Sequence, residues 1–218
     1  MKYVVLAAFT VAAILNLYGN FTGKKIGKIT KPMILPLLLI YYLISAQTVS
    51  VFPIIAIIMS WAGDVLLMIK GIKWFVFGGV AFMFSHLFYI ISYSFFIDFS
   101  NKMIFAVIPV AIIYYIVSYR IIRSVRNGIP LPGLYLPFIL YLVFNSTMNF
   151  FALMLLVTSP SLVTLSVFAG AVLFFISDCI LFLRNFHENK SLIPNANFIV
   201  MFTYALGELL IVSGLSLL

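Results

Sequence analysis

The chain has 218 residues, of which 65% are hydrophobic and only 8% are charged. Soluble domains contain about 25% charged residues, so this chain has too few polar side chains to cover a water-exposed surface, and a soluble globular fold is excluded. Intrinsic disorder is excluded too, because disordered chains combine low hydrophobicity with high charge. The composition predicts an all-α integral membrane protein whose single domain spans residues 1–218.

Eight apolar stretches have about the length that a membrane-spanning helix needs, which is roughly 17–25 residues. In chain order they are Tyr3–Tyr18, Pro32–Ala46, Val51–Ile69, Trp74–Ile97, Met103–Tyr119, Gly133–Val157, Leu162–Leu183 and Asn197–Leu217. The first two are short, which suggests tilted or partly interfacial helices. A weak similarity between the segments that begin at Pro36 and Pro137 suggests two four-helix halves. We therefore predict a polytopic bundle of about eight transmembrane helices.

The basic residues between these stretches lie mostly on one side of the membrane. The odd-numbered loops contain 11 of the 13 basic residues: Lys24, Lys25, Lys28, Lys31, Lys70, Lys73, Arg120, Arg123, Arg126, Arg184 and Lys190. Cytoplasmic loops are enriched in Lys and Arg, so we expect these loops in the cytoplasm and both termini outside. The net charge of +8 then reflects membrane orientation, and we expect no nucleic-acid partner.

Two aspartates lie inside predicted helices, where a charged side chain costs about 2.5–3.5 kcal/mol. Asp64 and Asp178 each precede a basic residue, Lys70 or Arg184, by six positions. Six residues of helix span about 9 Å, so both carboxyls are expected at the same depth in the cytoplasmic half of the bilayer. If the third and seventh helices are neighbours, the two carboxyls share a cavity, where one can act as acid and the other as base. The alternative is that each aspartate only hydrogen-bonds a neighbouring helix.

The last predicted helix contributes Tyr204 and Glu208, which share one face because they are four residues apart. Tyr204 is expected near the depth of the two aspartates, where it either orients a carboxyl or substrate oxygen or is a core tyrosine. Glu208 is expected about 6 Å deeper. As an acid inside the bilayer, it is a third candidate for function.

Other polar residues complete the candidate substrate-binding site. His86, in the middle of the fourth helix, either contacts substrate, shuttles a proton or is a lone hydrogen-bonded histidine. Tyr141, Asn145 and Asn149 form a polar stripe that should face the bundle interior, lining a substrate tunnel or holding helices together. Lys31, at the membrane surface, either binds a lipid phosphate or only sets the topology.

Several classes of chemistry are not expected. A catalytic zinc site usually has three protein ligands, and this chain has two histidines, His86 and His187. Nucleophile-elbow, phosphate-loop and His-Glu-x-x-His motifs are absent from the sequence. The residues alone leave three hypotheses open: acid–base catalysis without metal or cofactor, a proton-coupled transporter or flippase that uses the intramembrane acids as a relay, and a non-catalytic scaffold.

A set of short segments carries a family resemblance. The most specific are Gly63-Asp64 and Ser177-Asp178, and the others are Lys31-Pro32, Phe77-Gly78, Phe82, His86, Tyr89, Tyr141, Met148, Gly170-Ala171, Phe174, Tyr204 and Leu209-Leu210-Ile211. Together they resemble the YhhN-type lysoplasmalogenase family of integral membrane proteins. One departure is Glu208, where Gln is expected in the family. This glutamate adds a third acid to the expected cavity.

The resemblance implies an eight-helix fold and hydrolysis of the vinyl ether bond of lysoplasmalogens. The products would be a fatty aldehyde and glycerophosphoethanolamine or glycerophosphocholine, and Asp64 and Asp178 would be the catalytic pair. This chemistry needs a carboxylic acid that protonates carbon and a carboxylate that activates water, without a metal or cofactor. The expected partners are a lysophospholipid substrate and membrane lipids, with no obligate protein partner, and the expected location is a bacterial plasma membrane.

Overall fold

The computed structural model describes residues 1–189 and 191–218, so Lys190 of the seventh predicted loop lies outside the described residues. In this part of the chain the secondary structure is helical, with eight α-helices. They are α1 (Lys2–Thr22), α2 (Ile26–Ser45), α3 (Val51–Met68), α4 (Ile72–Ser94), α5 (Ile108–Val125), α6 (Tyr135–Thr158), α7 (Leu162–Phe186) and α8 (Ala196–Leu215). All eight regions are long and apolar enough to cross a membrane. The predicted polytopic all-α membrane bundle is confirmed.

The largest difference from the predicted spans is at the start of α2. This helix begins at Ile26 rather than at Pro32, so Lys28 and Lys31 are helical residues and not loop residues. The side chain of Asn16 on α1 donates a hydrogen bond to the Gly27 carbonyl oxygen at 2.6 Å and holds this first turn against α1. A hydropathy pattern treats the lysines as a break. Their long side chains can nevertheless leave a helix within the membrane and reach a polar environment.

Helices α5 and α7 are among those that extend beyond their predicted ends. Helix α5 continues to Val125 and α7 to Phe186. Arg123 and Arg184 therefore lie in the last turns of helices, where a cation interacts favourably with the helix dipole. The predicted loop positions of these two arginines were wrong, because the helix ends were predicted six residues too early in α5 and three residues too early in α7.

Seven of the described helices form a closed ring, and α5 packs outside it. The contacts run from α1 through α2, α3, α4, α6, α7 and α8 and return from α8 to α1. Helix α5 contacts α6 and α7 from the outer side. Because α4 and α6 separate α3 from α7 in this order, the two aspartate-bearing helices face each other across the ring and are not side-by-side neighbours. The duplication into two four-helix halves stays a prediction.

Glycines allow close helix crossings in the bundle. A Cβ atom added at Gly170 on α7 would lie 2.6 Å from the carbonyl oxygen of Gly207 on α8. On α3, the ring of Phe82 from α4 fills the space beside Gly63, where a Cβ atom would lie 2.5 Å from that ring. Small residues of this kind let membrane helices approach each other closely. These two crossings fix the helices that bear Asp178 and Asp64 against their partners.

The α7–α8 crossing yields a prediction about stability. Gly170→Ala puts a methyl group against the backbone of α8, which cannot move away without shifting the helix, so we expect a loss of about 1–3 kcal/mol. The matched control is Gly79→Ala in α4, where the nearest atom to an added Cβ is Tyr141 Cδ2 at 3.9 Å. The measurement is the thermal unfolding midpoint in detergent micelles. Equal midpoints for the two variants would contradict the importance of this crossing.

Candidate functional site

A polar cavity of about 320 Å³ opens at the end of the bundle where the odd-numbered loops lie. Its walls come from α1, α2, α3, α4, α7 and α8. The polar lining consists of Asn20, Lys28, Lys31, Asp64, Ser177, Asp178, Arg184, Asn185, Asn197 and Tyr204. Asp64 and Asp178 are thus on the walls of one cavity, although their helices are not neighbours.

Asp64 is part of a buried ion pair. Its Oδ1 atom lies 3.0 Å from the Lys31 amino nitrogen, and its Oδ2 atom accepts a hydrogen bond of 2.8 Å from the Tyr204 hydroxyl. The Asp64 side chain is 3% exposed and that of Lys31 is 18% exposed. Both carboxylate oxygens therefore have a partner, which is what an ion pair needs to be stable away from water. The amino group of Lys31 points to this acid rather than to the membrane surface, contrary to the position we expected for it.

Asp178 has a different environment, made of neutral donors. Its Oδ2 atom accepts hydrogen bonds from the Tyr141 hydroxyl, at 2.6 Å, and from the Asn145 side-chain amide. The amide of Asn149 in turn donates to the side-chain oxygen of Asn145 at 3.1 Å. The polar stripe on α6 thus faces the bundle interior. Within the described residues, no lysine or arginine lies within ion-pair distance of Asp178.

His86 lies next to Asp178 but is not hydrogen-bonded to it. Its Nε2 atom is 3.8 Å from Asp178 Oδ2, and its fully buried ring packs edge-on against Phe174 and Tyr141. Neither ring nitrogen has a hydrogen-bond partner among residues 1–189 and 191–218. Buried polar atoms are usually paired, so this histidine does not behave as an ordinary satisfied core residue.

Glu208 does not line the polar cavity, so our expectation of a third acid there was wrong. Its Oε2 atom accepts a hydrogen bond of 2.6 Å from Tyr89, and the side chain of Ser60 on α3 also lies beside the carboxyl. The rings of Phe82, Phe174 and Tyr204 pack edge-on against each other, with centroids 5.3–6.0 Å apart. These three rings form an aromatic cluster around Tyr204, and Glu208 lies one helical turn beyond Tyr204 on α8.

Six polar residues of the cavity lining were not among the sequence candidates: Asn20, Lys28, Ser177, Arg184, Asn185 and Asn197. Arg184 donates a hydrogen bond of 2.6 Å from Nη1 to the side-chain oxygen of Asn197. On α7, the lining residues Ser177, Asp178, Leu181, Arg184 and Asn185 recur at positions i, i+1, i+4, i+7 and i+8, which lie on one helical face. In the sequence, Arg184 lies about two turns after Asp178 on the same face of α7, and this spacing could have identified it as a lining residue.

The arrangement offers acid–base chemistry with two unlike carboxyls. Burial disfavours an ionised carboxyl at both positions, and the Lys31 cation opposes this effect at Asp64, whereas the hydrogen bonds that Asp178 accepts come from neutral groups. In the part of the chain that the structure describes, no group of three or more His, Cys, Asp and Glu side chains is placed to hold a metal ion. The polar cavity therefore contains a built-in difference between its two acids.

Comparison with known proteins identifies the family. No curated protein and no solved structure matches the chain significantly. The family described as the YhhN family matches residues 27–215 of the 218, from the first turn of α2 to the end of α8. This segment contains both cavity aspartates, Lys31 and Tyr204. The resemblance noted from the sequence is therefore confirmed, and the chain belongs to the YhhN family.

Proposed function

We propose that this protein hydrolyses the vinyl ether bond of lysoplasmalogen-type lysophospholipids and releases a fatty aldehyde and a glycerophospho-base. Membership of the YhhN family is consistent with such a hydrolase. The observation that carries the proposal is that Asp64 and Asp178 line one cavity and that, among the described residues, a lysine or arginine lies within ion-pair distance of Asp64 but not of Asp178. Vinyl ether hydrolysis needs one proton donor and one carboxylate, and the pair supplies both.

The surroundings of each aspartate support a different role for it. Asp64, held by Lys31 and Tyr204, serves as the carboxylate that stabilises positive charge and accepts a proton from water. Asp178 serves as the acid, because an unpaired carboxylate is costly in a buried site. Tyr141 and Asn145 both donate to its Oδ2 atom, which leaves Oδ1 to hold the proton.

The reaction proceeds in three balanced steps. Asp178 first transfers its proton to the vinyl carbon that is not bonded to the ether oxygen. This leaves an oxocarbenium ion opposite the Asp64 carboxylate. Water then adds to the cationic carbon and gives its proton to Asp64, forming a hemiacetal. Finally, Asp178 takes the proton of the hemiacetal hydroxyl while Asp64 protonates the departing glycerol oxygen. The carbon–oxygen bond breaks, aldehyde forms, and both carboxyls return to their starting states with one water consumed.

The loop end of the polar cavity, which we call the cavity mouth, has two cations that can bind the phosphate of the head group. Lys28 and Arg184 line the cavity on the loop side of the two acids. Lys28 has no ion pair or hydrogen bond from its amino group within the described residues, and Arg184 contacts only amide oxygens among the partners identified for it. Both cations are therefore suited to bind an anionic oxygen, with Arg184 as a planar donor and Lys28 as a point charge.

The competing function is proton-coupled transport of a lipid-like or small substrate. Transporters of this kind commonly bind substrate where helices are broken near the membrane midplane. In the described parts of α3, α7 and α8, the helices that contribute acids, the α-helix continues without a break through each acid. This continuity favours a fixed reaction site over a transport site, and proton-linked uptake into vesicles would favour the transporter instead.

The first prediction concerns the acids themselves. With purified protein and lysoplasmenylethanolamine, Asp64→Asn and Asp178→Asn should each lower the rate of aldehyde release by roughly 10²-fold or more, because each removes a proton-transfer group. The matched control is Asp98→Asn, an exposed loop position whose carboxylate contacts Ser100. Absence of aldehyde release by the wild-type protein would contradict the proposed function. Full activity of both variants would contradict the proposed catalytic site.

A second prediction separates the two roles. Lys31→Gln removes the cation beside Asp64, which leaves the carboxyls alike and favours protonation of both. We expect kcat to fall by roughly 10²-fold, with partial recovery in Lys31→Arg, which restores the charge. The thermal midpoint measured in parallel shows whether the variant is folded. An unchanged kcat in a folded Lys31→Gln protein would contradict the assignment of Asp64 as the ionised partner.

A third prediction concerns the phosphate. Arg184→Gln and Lys28→Gln should raise KM by roughly tenfold with little change in kcat, because they weaken binding of a group that does not react. Lys25→Gln, next to the start of α2 but outside the cavity lining, is the control. Equal kinetic constants for all three variants would show that the head group binds elsewhere.

A further inference from the structure

A second cavity, which we call the α4–α6 groove, lies beside the polar one. It has a volume of about 240 Å³ and is lined by side chains of α3, α4, α6 and α7. Its walls are almost entirely hydrocarbon, and the part nearest the acids includes the ring of Tyr141. The hydroxyl of this tyrosine donates a hydrogen bond to Asp178, so one residue of the groove lining is in direct contact with the acid.

The two cavities share a wall. Leu67, Phe75, Phe82 and Leu181 line both the polar cavity and the α4–α6 groove. On the polar side of these residues lie two acids and the mouth cations, and on the other side lie only apolar surfaces and the Tyr141 ring. A ligand that extends from one cavity into the other must therefore have a polar part on one side of this wall and an apolar part on the other side.

The groove is also open towards the surroundings of the bundle. Val80 on α4 and Leu140 on α6, which line it, are 38% and 42% exposed. In a membrane protein these outward faces meet the hydrocarbon of the bilayer. Gly79 contributes no side chain to the groove, and an added Cβ there would find only Tyr141 Cδ2, at 3.9 Å, within 4 Å. An aliphatic chain can therefore reach the groove sideways from the bilayer.

We propose that the α4–α6 groove binds the aliphatic chain of a single-chain amphiphile, which slides in from the bilayer between α4 and α6. The proposal deepens the proposed function and rests on it for the identity of the head group. The occupant is a hydrocarbon chain because the groove is apolar, is exposed to lipid, and shares four lining residues with a polar cavity that suits a phosphate. The chain carbons next to the head group then lie at the shared wall, beside Tyr141 and Asp178.

The test fills the groove without touching the acids. Gly79→Leu adds an isobutyl group in the open space, so we expect KM for a long-chain lysoplasmalogen to rise roughly tenfold or more. For an analogue with a four-carbon alkenyl chain, which does not extend along the groove, KM and kcat should stay near wild-type values. Gly133→Leu is the control, because an added Cβ there has no described atom within 4 Å. Equal increases in KM for both chain lengths would overturn the proposal.

A binding measurement keeps the groove testable apart from catalysis. The probe is a saturated single-chain alkyl glycerophosphoethanolamine with a photoreactive diazirine near the end of its chain, which the protein cannot hydrolyse. After irradiation in micelles, we expect labelled peptides from α4 and α6 in the wild type and loss of that label in Gly79→Leu. Label on other helices, label unchanged in Gly79→Leu, or cross-links only between two protein copies would overturn the proposal. If the groove is labelled but the wild type releases no aldehyde from lysoplasmenylethanolamine, the proposed function is contradicted and the groove is still a lipid-binding site.

Discussion

Three carboxyl groups in a membrane bundle impose the main constraint on this structure. An acid inside the bilayer is costly unless other side chains satisfy its oxygens, and here the partners come from other helices. Asp64 on α3 is held by α2 and α8, Asp178 on α7 by α6, and Glu208 on α8 by α4. The contacts of Asp64 with Tyr204 and of Glu208 with Tyr89 connect α8 to helices that are distant in sequence, whereas the other contacts join consecutive helices.

The same partners make the two cavity acids unequal. Lysine reaches Asp64 only because α2 begins at Ile26, which brings Lys31 about one and a half turns into the helix. Asp178, on the opposite wall, receives hydrogen bonds from a tyrosine and an asparagine that carry no charge. A symmetric pair would share one proton without a fixed direction. A cation beside one carboxyl favours the proton on the other carboxyl. The pair then has a distinct proton donor and a distinct proton acceptor at the start of a reaction.

Much of the fold follows from the sequence, because hydropathy and loop charge are properties of single segments. These patterns identified each membrane helix, and the polar stripe of Tyr141, Asn145 and Asn149 indicated the inward face of α6. The early start of α2 was missed because a hydropathy pattern treats Lys28 and Lys31 as polar, whichever way their side chains extend. The order of helices around the ring, with α5 outside, was not predictable since apolar spans resemble one another and their partners are chosen by packing.

The separation of Glu208 from the cavity shows the same limit at the site. Its depth, one turn beyond Tyr204, was readable from the sequence. The aromatic cluster beside it was not, because Phe82, Phe174 and Tyr204 come from three helices and meet only in the folded bundle. Depth along one helix is a local quantity, whereas membership of a cavity depends on what the other helices place at that depth.

The boundary between polar and apolar space gives the proposed site a simple way to select a bond. In a lysoplasmalogen, the vinyl ether joins the glycerol head group to the aliphatic chain, so it is itself the boundary between the polar and apolar parts of the molecule. If the head group lies among the cations of the polar cavity and the chain lies in the α4–α6 groove, that bond must lie at the shared wall of Leu67, Phe82 and Leu181. Asp178 faces the polar side of this wall and is held by a tyrosine whose ring lines the apolar side. The reacting atoms would then be brought to the acid by the partition of the whole amphiphile, with little need for specific contacts to the vinyl ether itself.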